Sequence, residues 1–212
     1  MRRISANYIY PVTSTPLKNG IIEFDDQGII KNIIDTGGKL RESRNLEFYN
    51  GVIVPGFINA HCHLEISDLK GQIKKGKSLL DFIRQMAGSD RSGTAEHYNK
   101  SLQSADQLMR KNGIVAVGDI SNTTNSISLK KQSKIYYHTF IEVVGLDSNA
   151  QAKFDRFKRI QREFTKHALP ASITPHAPYS VTKNLFLMIG KYAEQQNSVL
   201  SIHNQETASE NE

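Results

Sequence analysis

The 212 residues include one cysteine, no tryptophan and six prolines. The lone thiol, Cys62, excludes an intramolecular disulfide framework and fits a reducing cytoplasm, the compartment expected for this chain. Long hydrophobic runs are missing as well. The longest, Val52 to Ile58, covers seven residues and is interrupted by Pro55 and Gly56, far short of the roughly 20 a membrane-spanning helix needs. Behind Arg2 and Arg3 there is no apolar stretch or small-residue cleavage site, which speaks against a secretory signal. Charged residues make up 23% and hydrophobic residues 38% of the chain, a balance that sustains a core and excludes disordered or collagen-like architectures.

Basic residues outnumber acidic ones 27 to 21, for a net charge of +6. An excess of that sign invites a nucleic-acid reading. The cations are spread out, however, with Lys153, Arg156, Lys158, Arg159 and Arg162 lying along one helical stretch as a solvated face. Neither a nucleic-acid nor a membrane partner is expected.

Residues 1–54 read as all-β. Short β-rich runs (Tyr8 to Val12, Gly20 to Phe24, Ile29 to Ile34, Leu46 to Val54) are separated by turn signals such as Asp25-Asp26-Gln27-Gly28. Residues 55–212 change character: short apolar strands alternate with amphipathic helices. Strands are predicted at Val52 to Ala60, Ile114 to Ile120, Ile135 to Val144, Ala171 to Thr174 and Val199 to Ile202. Helices are predicted at Ser78 to Ala87, where Ser78 and Asp81 have capping-box spacing, at 94–112, at about 150–167 and at Thr182 to Gln195. The alternation implies parallel βαβ units. A doubly wound sheet would carry a glycine-rich phosphate turn after its first strand; here that strand ends in His-Cys-His. Five such units match the first part of a (β/α)8 barrel, which takes about 250 residues when complete. The predicted fold is therefore α/β: an N-terminal β-sandwich segment over 1–54 and a truncated TIM-type barrel over 55–212, the chain stopping mid-fold.

Three clusters carry chemistry. In Pro55-Gly56-Phe57-Ile58-Asn59-Ala60-His61-Cys62-His63-Leu64-Glu65 the alternation of a strand end puts His61 and His63 on one side and Cys62 on the other. Two imidazoles so placed can reach one divalent cation, and neutral imidazole suits zinc or iron. In His203-Asn204-Gln205-Glu206, His203 is a candidate third ligand and Glu206 a candidate general acid/base. In Thr174-Pro175-His176-Ala177-Pro178-Tyr179-Ser180, two prolines bracket and stiffen the loop that carries His176.

In this order the clusters resemble the amidohydrolase superfamily, in its aminohydrolase branch of cytosine, guanine and adenosine-like deaminases and triazine hydrolases. The resemblance covers essentially the whole chain. It implies that His61, His63 and His203 hold the metal, that Glu206 is the proton shuttle and that His176 contacts substrate. No lysine precedes Lys183 after the fourth strand, so a single divalent ion, zinc or iron, is favoured over the two-metal arrangement of related enzymes. The family's sixth-strand histidine and eighth-strand aspartate have no counterpart in these residues. His97, His138 and His167, in helices or mid-strand, do not replace them, and Glu65, Asp119 and Glu142 fall near strand ends where structural hydrogen bonding accounts for them at least as well.

The implied activity is hydrolytic deamination of a heteroaromatic amine (purine, pyrimidine or aminofutalosine-like) by metal-activated water, with a small-molecule substrate and a homo-oligomeric full-length enzyme. Hydrolysis of a C–Cl bond or a cyclic amide on the same scaffold is the alternative within enzymes. The 212 residues by themselves are expected to be an inactive fragment, or else a non-enzymatic degenerate paralogue prone to associate through its open sheet edge.

Overall fold

In the computed structural model, residues 1–89, 93–146 and 149–211 are described. They fall into two compact units, Met1–Gly56 and Phe57–Glu212.

The first unit is built on β1 (Arg2–Ile9). This strand pairs antiparallel with β2 (Leu17–Lys18) and β3 (Ile21–Phe24), and β3 pairs antiparallel with β4 (Ile30–Ile34). Strand β5 (Leu46–Ile53) lies parallel to β1. The β3–β4 turn forms because the Asp25 carboxylate accepts the backbone N–H groups of Gln27 and Ile29, while Gly28 takes a φ of +82° that a side chain would oppose. Ser5, Ala6, Ile9, Ile21 and Ile22 are buried, and the Ser5 hydroxyl is satisfied by the Gly20 carbonyl at 2.7 Å.

The second unit is α/β, around a parallel sheet in the order β6 (Phe57–Cys62), β7 (Ile114–Ser121), β8 (Tyr136–Val143), β9 (Ala171–Pro175). Between β6 and β7 come a 3-10 turn at Leu64–Leu69 and helices α1 (Leu79–Ala87) and α2 (Ala95–Lys111); α3 (Ile127–Gln132) joins β7 to β8, α4 (Ala150–Lys166) joins β8 to β9, and α5 (Lys183–Gln196) follows. Side-chain caps start the helices: the oxygens of Ser78, Thr94 and Thr182 accept the N–H groups of Asp81, His97 and Leu185. One core packs Ile141, Val143 and Ile173 of the sheet against Phe154, Phe157 and Ile189 of the helices, and a second gathers Leu64, Leu102, Val117, Ile135 and Tyr137.

Three expectations are corrected. The run Tyr8 to Val12 is not a strand: only Tyr8 and Ile9 belong to one, as the end of a β1 that starts at Arg2 and stops before Pro11. The run Val52 to Ala60 is not one strand: it breaks at Pro55-Gly56, with Val52 and Ile53 ending β5 in the first sheet and Phe57 opening β6 in the second. Val199 to Ile202 does not form a fifth strand either. The Ser201 N–H donates to the Thr174 side-chain oxygen at 2.9 Å, the Thr174 hydroxyl turns to the Ser201 carbonyl, and the His203 N–H reaches the His176 carbonyl at 2.8 Å. Side-chain bonds replace the ladder there, beside a β9 whose last residue, Pro175, has no N–H to give.

Candidate metal centre

The C-terminal ends of β6, β8 and β9 and the segment around His203 meet at one place. Gly118 lets β6 come close to β7: a Cβ there would overlap the Ala60 carbonyl and press on the Phe140 ring. His61 and His63 leave the end of β6 with their Nε2 atoms 3.1 Å apart, and His61 Nδ1 lies 3.3 Å from the Ser201 hydroxyl. The His203 ring sits 4.6 Å from that of His61, 5.5 Å from that of His63 and 5.0 Å from that of His176. The structure thus brings together all four histidines named from the sequence. His138 is elsewhere, its Nε2 bonded to the Ser172 hydroxyl at 2.9 Å.

Burial favours the neutral form of three of these rings, His61, His63 and His176. Burial, reinforced by the neighbouring imidazoles, lowers His63 to about 4, and burial followed by His203 lowers His61. His176 is lowered in the same way, and its Nδ1 lies 2.6 Å from the Ser180 hydroxyl. A neutral imidazole presents a lone pair, which is what a metal ligand requires. Cys62 points into the second core and burial pushes its thiol up to about 12, so it stays protonated beside the cluster.

Glu206 lies with Oε1 3.0 Å from His203 Nδ1 and accepts the Tyr179 hydroxyl on Oε2 at 3.0 Å. A carboxylate oxygen at that distance accepts an imidazole N–H, the contact that turns Nε2 of His203 toward a metal. Glu142 enters from β8, its Oε1 3.5 Å from His203 Nε2. Burial, with a smaller contribution from Glu206, raises Glu142 to about 7. Sequence reasoning had Glu142 only as a strand-end acid and missed Tyr179 altogether. The available signal was an acid near the end of a largely apolar strand, Phe140-Ile141-Glu142-Val143, and a tyrosine beside the proline bracket.

Asp119 and Glu65 hold the loops beside the histidines. Asp119 accepts the Leu64 N–H, and Glu65 accepts the N–H groups of Asn122 and Thr123 at 2.9 and 3.1 Å. Next to the cluster opens a cavity of about 730 Å³ whose walls include His63, Asn99, Asn122, Thr123 and Asn125.

A model of the amidohydrolase family matches residues 52–212. The chain belongs to the amidohydrolase family. This amidohydrolase is 32% identical over 162 residues to the adenosine deaminase of Helicobacter pylori, an alignment that takes in 74% of this chain and 38% of that protein. The Helicobacter pylori aminofutalosine deaminase in complex with methylthio-coformycin superposes with a TM-score of 0.80 at 26% identity, over 98% of this chain and 52% of that one. An adenosine deaminase from Xanthomonas campestris with bound zinc shares the fold, with a TM-score of 0.76 at 19% identity over 98% of this chain and 50% of that one. The chain spans less than half the length of the curated relatives it matches.

In this amidohydrolase the donor chemistry fits a divalent cation: His61, His63 and His203 offer nitrogens that all lie within 4.8 Å of one another. Among the described residues one other such group occurs, Glu142, His176 and His203, which shares His203 with the first.

Proposed function

We propose that the protein is a metal-dependent hydrolytic deaminase of a heteroaromatic amine of the adenosine type, residues 1–54 contributing a β-sandwich segment and residues 55–212 the first part of a (β/α)8 barrel. The observation that carries this reading is the convergence of His61, His63 and His203 with Glu206 beside them. The deaminase names of the relatives favour ammonia as the leaving group over chloride or a ring-opened amide.

His61, His63 and His203 would hold one divalent ion, zinc or iron. When bound, that ion supplies Lewis-acid activation of water at neutral pH. The remaining work falls to side chains. Glu206 takes a proton from water and delivers it to the substrate, first at a ring nitrogen and then at the departing amine. Water and the aryl amine thereby become the hydroxylated ring, or its keto tautomer, and ammonia. Tyr179, raised to about 12 by burial and by the Glu206 carboxylate, stays a phenol at neutral pH and fixes the Glu206 oxygen it bonds. His176, held by Ser180, orients the substrate ring. The polar cavity beside His63 receives the rest of the substrate.

Glu206→Gln removes the proton carrier and keeps the shape. In protein expressed from its full reading frame, ammonia release should fall by about 10²–10⁴-fold while metal content stays at the wild-type level. Retained turnover in that variant would remove Glu206 from this role. Chloride release without ammonia, across a panel of amino- and chloro-substituted rings, would move the enzyme to the dehalogenating alternative.

A further inference from the structure

A buried ion pair that the proposed chemistry does not use lies directly behind the His61/His63 end of β6. Asp119 on β7 and Lys130 on α3 meet at 2.6 Å, both side chains with no exposed surface. The ammonium group has three N–H bonds and three oxygen neighbours: Asp119 Oδ2, Thr139 Oγ1 at 2.8 Å and Ser121 Oγ at 3.4 Å. The Phe164 and Tyr137 rings pack near it, their centres 4.9 and 5.5 Å from Nζ. Asp119 Oδ2 also accepts the Ser121 hydroxyl at 3.0 Å. Its other oxygen, Oδ1, accepts the backbone N–H of Leu64 at 2.8 Å, the residue that follows His63.

A buried pair of this kind is weak evidence for stability, because two well-packed apolar residues commonly do as well or better. What an apolar pair cannot supply is an acceptor for the Leu64 N–H. The backbone there is turning out of β6 into a 3-10 turn, so that N–H has no ladder partner to meet. Glu65 ties the next residue to the loop after β7 through Asn122 and Thr123. The segment His63-Leu64-Glu65 is thus held to the end of β7 by two successive carboxylates.

We infer that Asp119 is a positioning residue for the metal site: charge-balanced by Lys130, it fixes the Leu64 amide and so presets His61 and His63 at chelating separation before any ion binds. This rests on the proposal that those two histidines are metal ligands. A hydrogen bond from a ligand side chain to an outer partner is worth about 10–100-fold in metal affinity, and the Asp119 bond acts on that scale through the backbone next to His63.

The test compares two double variants in protein from the full reading frame, measuring zinc affinity by chelator competition and thermal midpoint in parallel. Asp119→Leu with Lys130→Met removes the charge and the acceptor while keeping the number and branching of heavy atoms at position 119. Asp119→Asn with Lys130→Met removes the charge but keeps an oxygen for Leu64. The expected result is a loss of about 10–100-fold in zinc affinity for the leucine variant and near-wild-type affinity for the asparagine variant, whatever their order of thermal midpoints. Equal zinc affinity in the two variants, whether retained or lost, overturns the inference. His63→Ala is the reference. If it too binds zinc like the wild type, the metal reading fails. If it loses zinc while the leucine variant does not, only the positioning role fails. Should the leucine variant not fold, amide exchange at Leu64 in the wild type decides: protection without zinc supports presetting, and protection only with zinc refutes it.

Discussion

Two acid–base groups in the cluster, the half-buried His63 and the buried Glu142, pull stability in opposite directions with pH. The His63 ring is depressed to about 4 by burial and by its imidazole neighbours, so between about pH 4 and 6.5 the unfolded chain binds more protons and the fold weakens as pH falls. The Glu142 carboxyl, raised by burial from 4.5 to about 7, does the reverse: between those values the folded chain binds more protons, and its contribution is lost as pH rises through the window. Glu142→Gln removes the second slope alone. In metal-free protein, the stability of this variant relative to wild type should climb as pH rises from 5 to 7, read as a widening gap in urea midpoints. A gap that does not change with pH would mean that Glu142 titrates normally. Glu142 also shows where the sequence stops being legible. His61, His63, His176, His203 and Glu206 stand out because strand ends, proline brackets and short spacings mark them. Glu142 reaches the same cluster only because the parallel register sets it opposite Thr174, two residues before His176, and no local pattern encodes that pairing.

Among the elements, the helices were the most readable. Ser78 with Asp81 predicted a helix that forms with the cap expected of it, and the helix predicted at 94–112 forms with Thr94 as its cap. The strands misled in three places, all involving proline: the run Tyr8 to Val12 passes Pro11, whereas β1 covers Arg2–Ile9. Pro55-Gly56 divides an apolar run that periodicity alone reads as continuous, and Pro175 ends β9 where Val199 to Ile202 would have paired. A strand needs a partner with matching donors, and composition does not report that. The helices should also rank by how they are held. Ile189 on α5 is fully buried in the first core, and Ile189→Ala should cost about 2–5 kcal/mol of unfolding free energy. Thr94→Ala, which removes the cap of α2 at its exposed first turn, should cost about 1 kcal/mol. Chemical denaturation of both variants checks the order. A cap loss as large as the core loss would show that α2 is anchored by its end rather than by Leu102 and the Leu64 cluster.

For the molecule taken whole, the family match over residues 52–212, the α/β fold of the second unit and the gathering of four histidines at one place point the same way. Among the described residues no helix is long and apolar enough to cross a membrane. The fold class and the histidine motifs could be read from sequence because the βα rhythm and strand-end motifs are local. The identity of the proposed amine could not, because the cavity beside His63 is lined from distant segments, helix α2 with Asn99 and the loop after β7 with Asn122 and Asn125. The central claim is metal-dependent release of ammonia, and one assay addresses it. Protein from the full reading frame is stripped with a chelator, divided, and half is reloaded with zinc. Both halves are then given adenosine-type amines while ammonia is followed. The account predicts ammonia from the reloaded half and none above background from the stripped half. Equal ammonia from both halves, or none from the zinc-loaded protein with any amine of the panel, would contradict it.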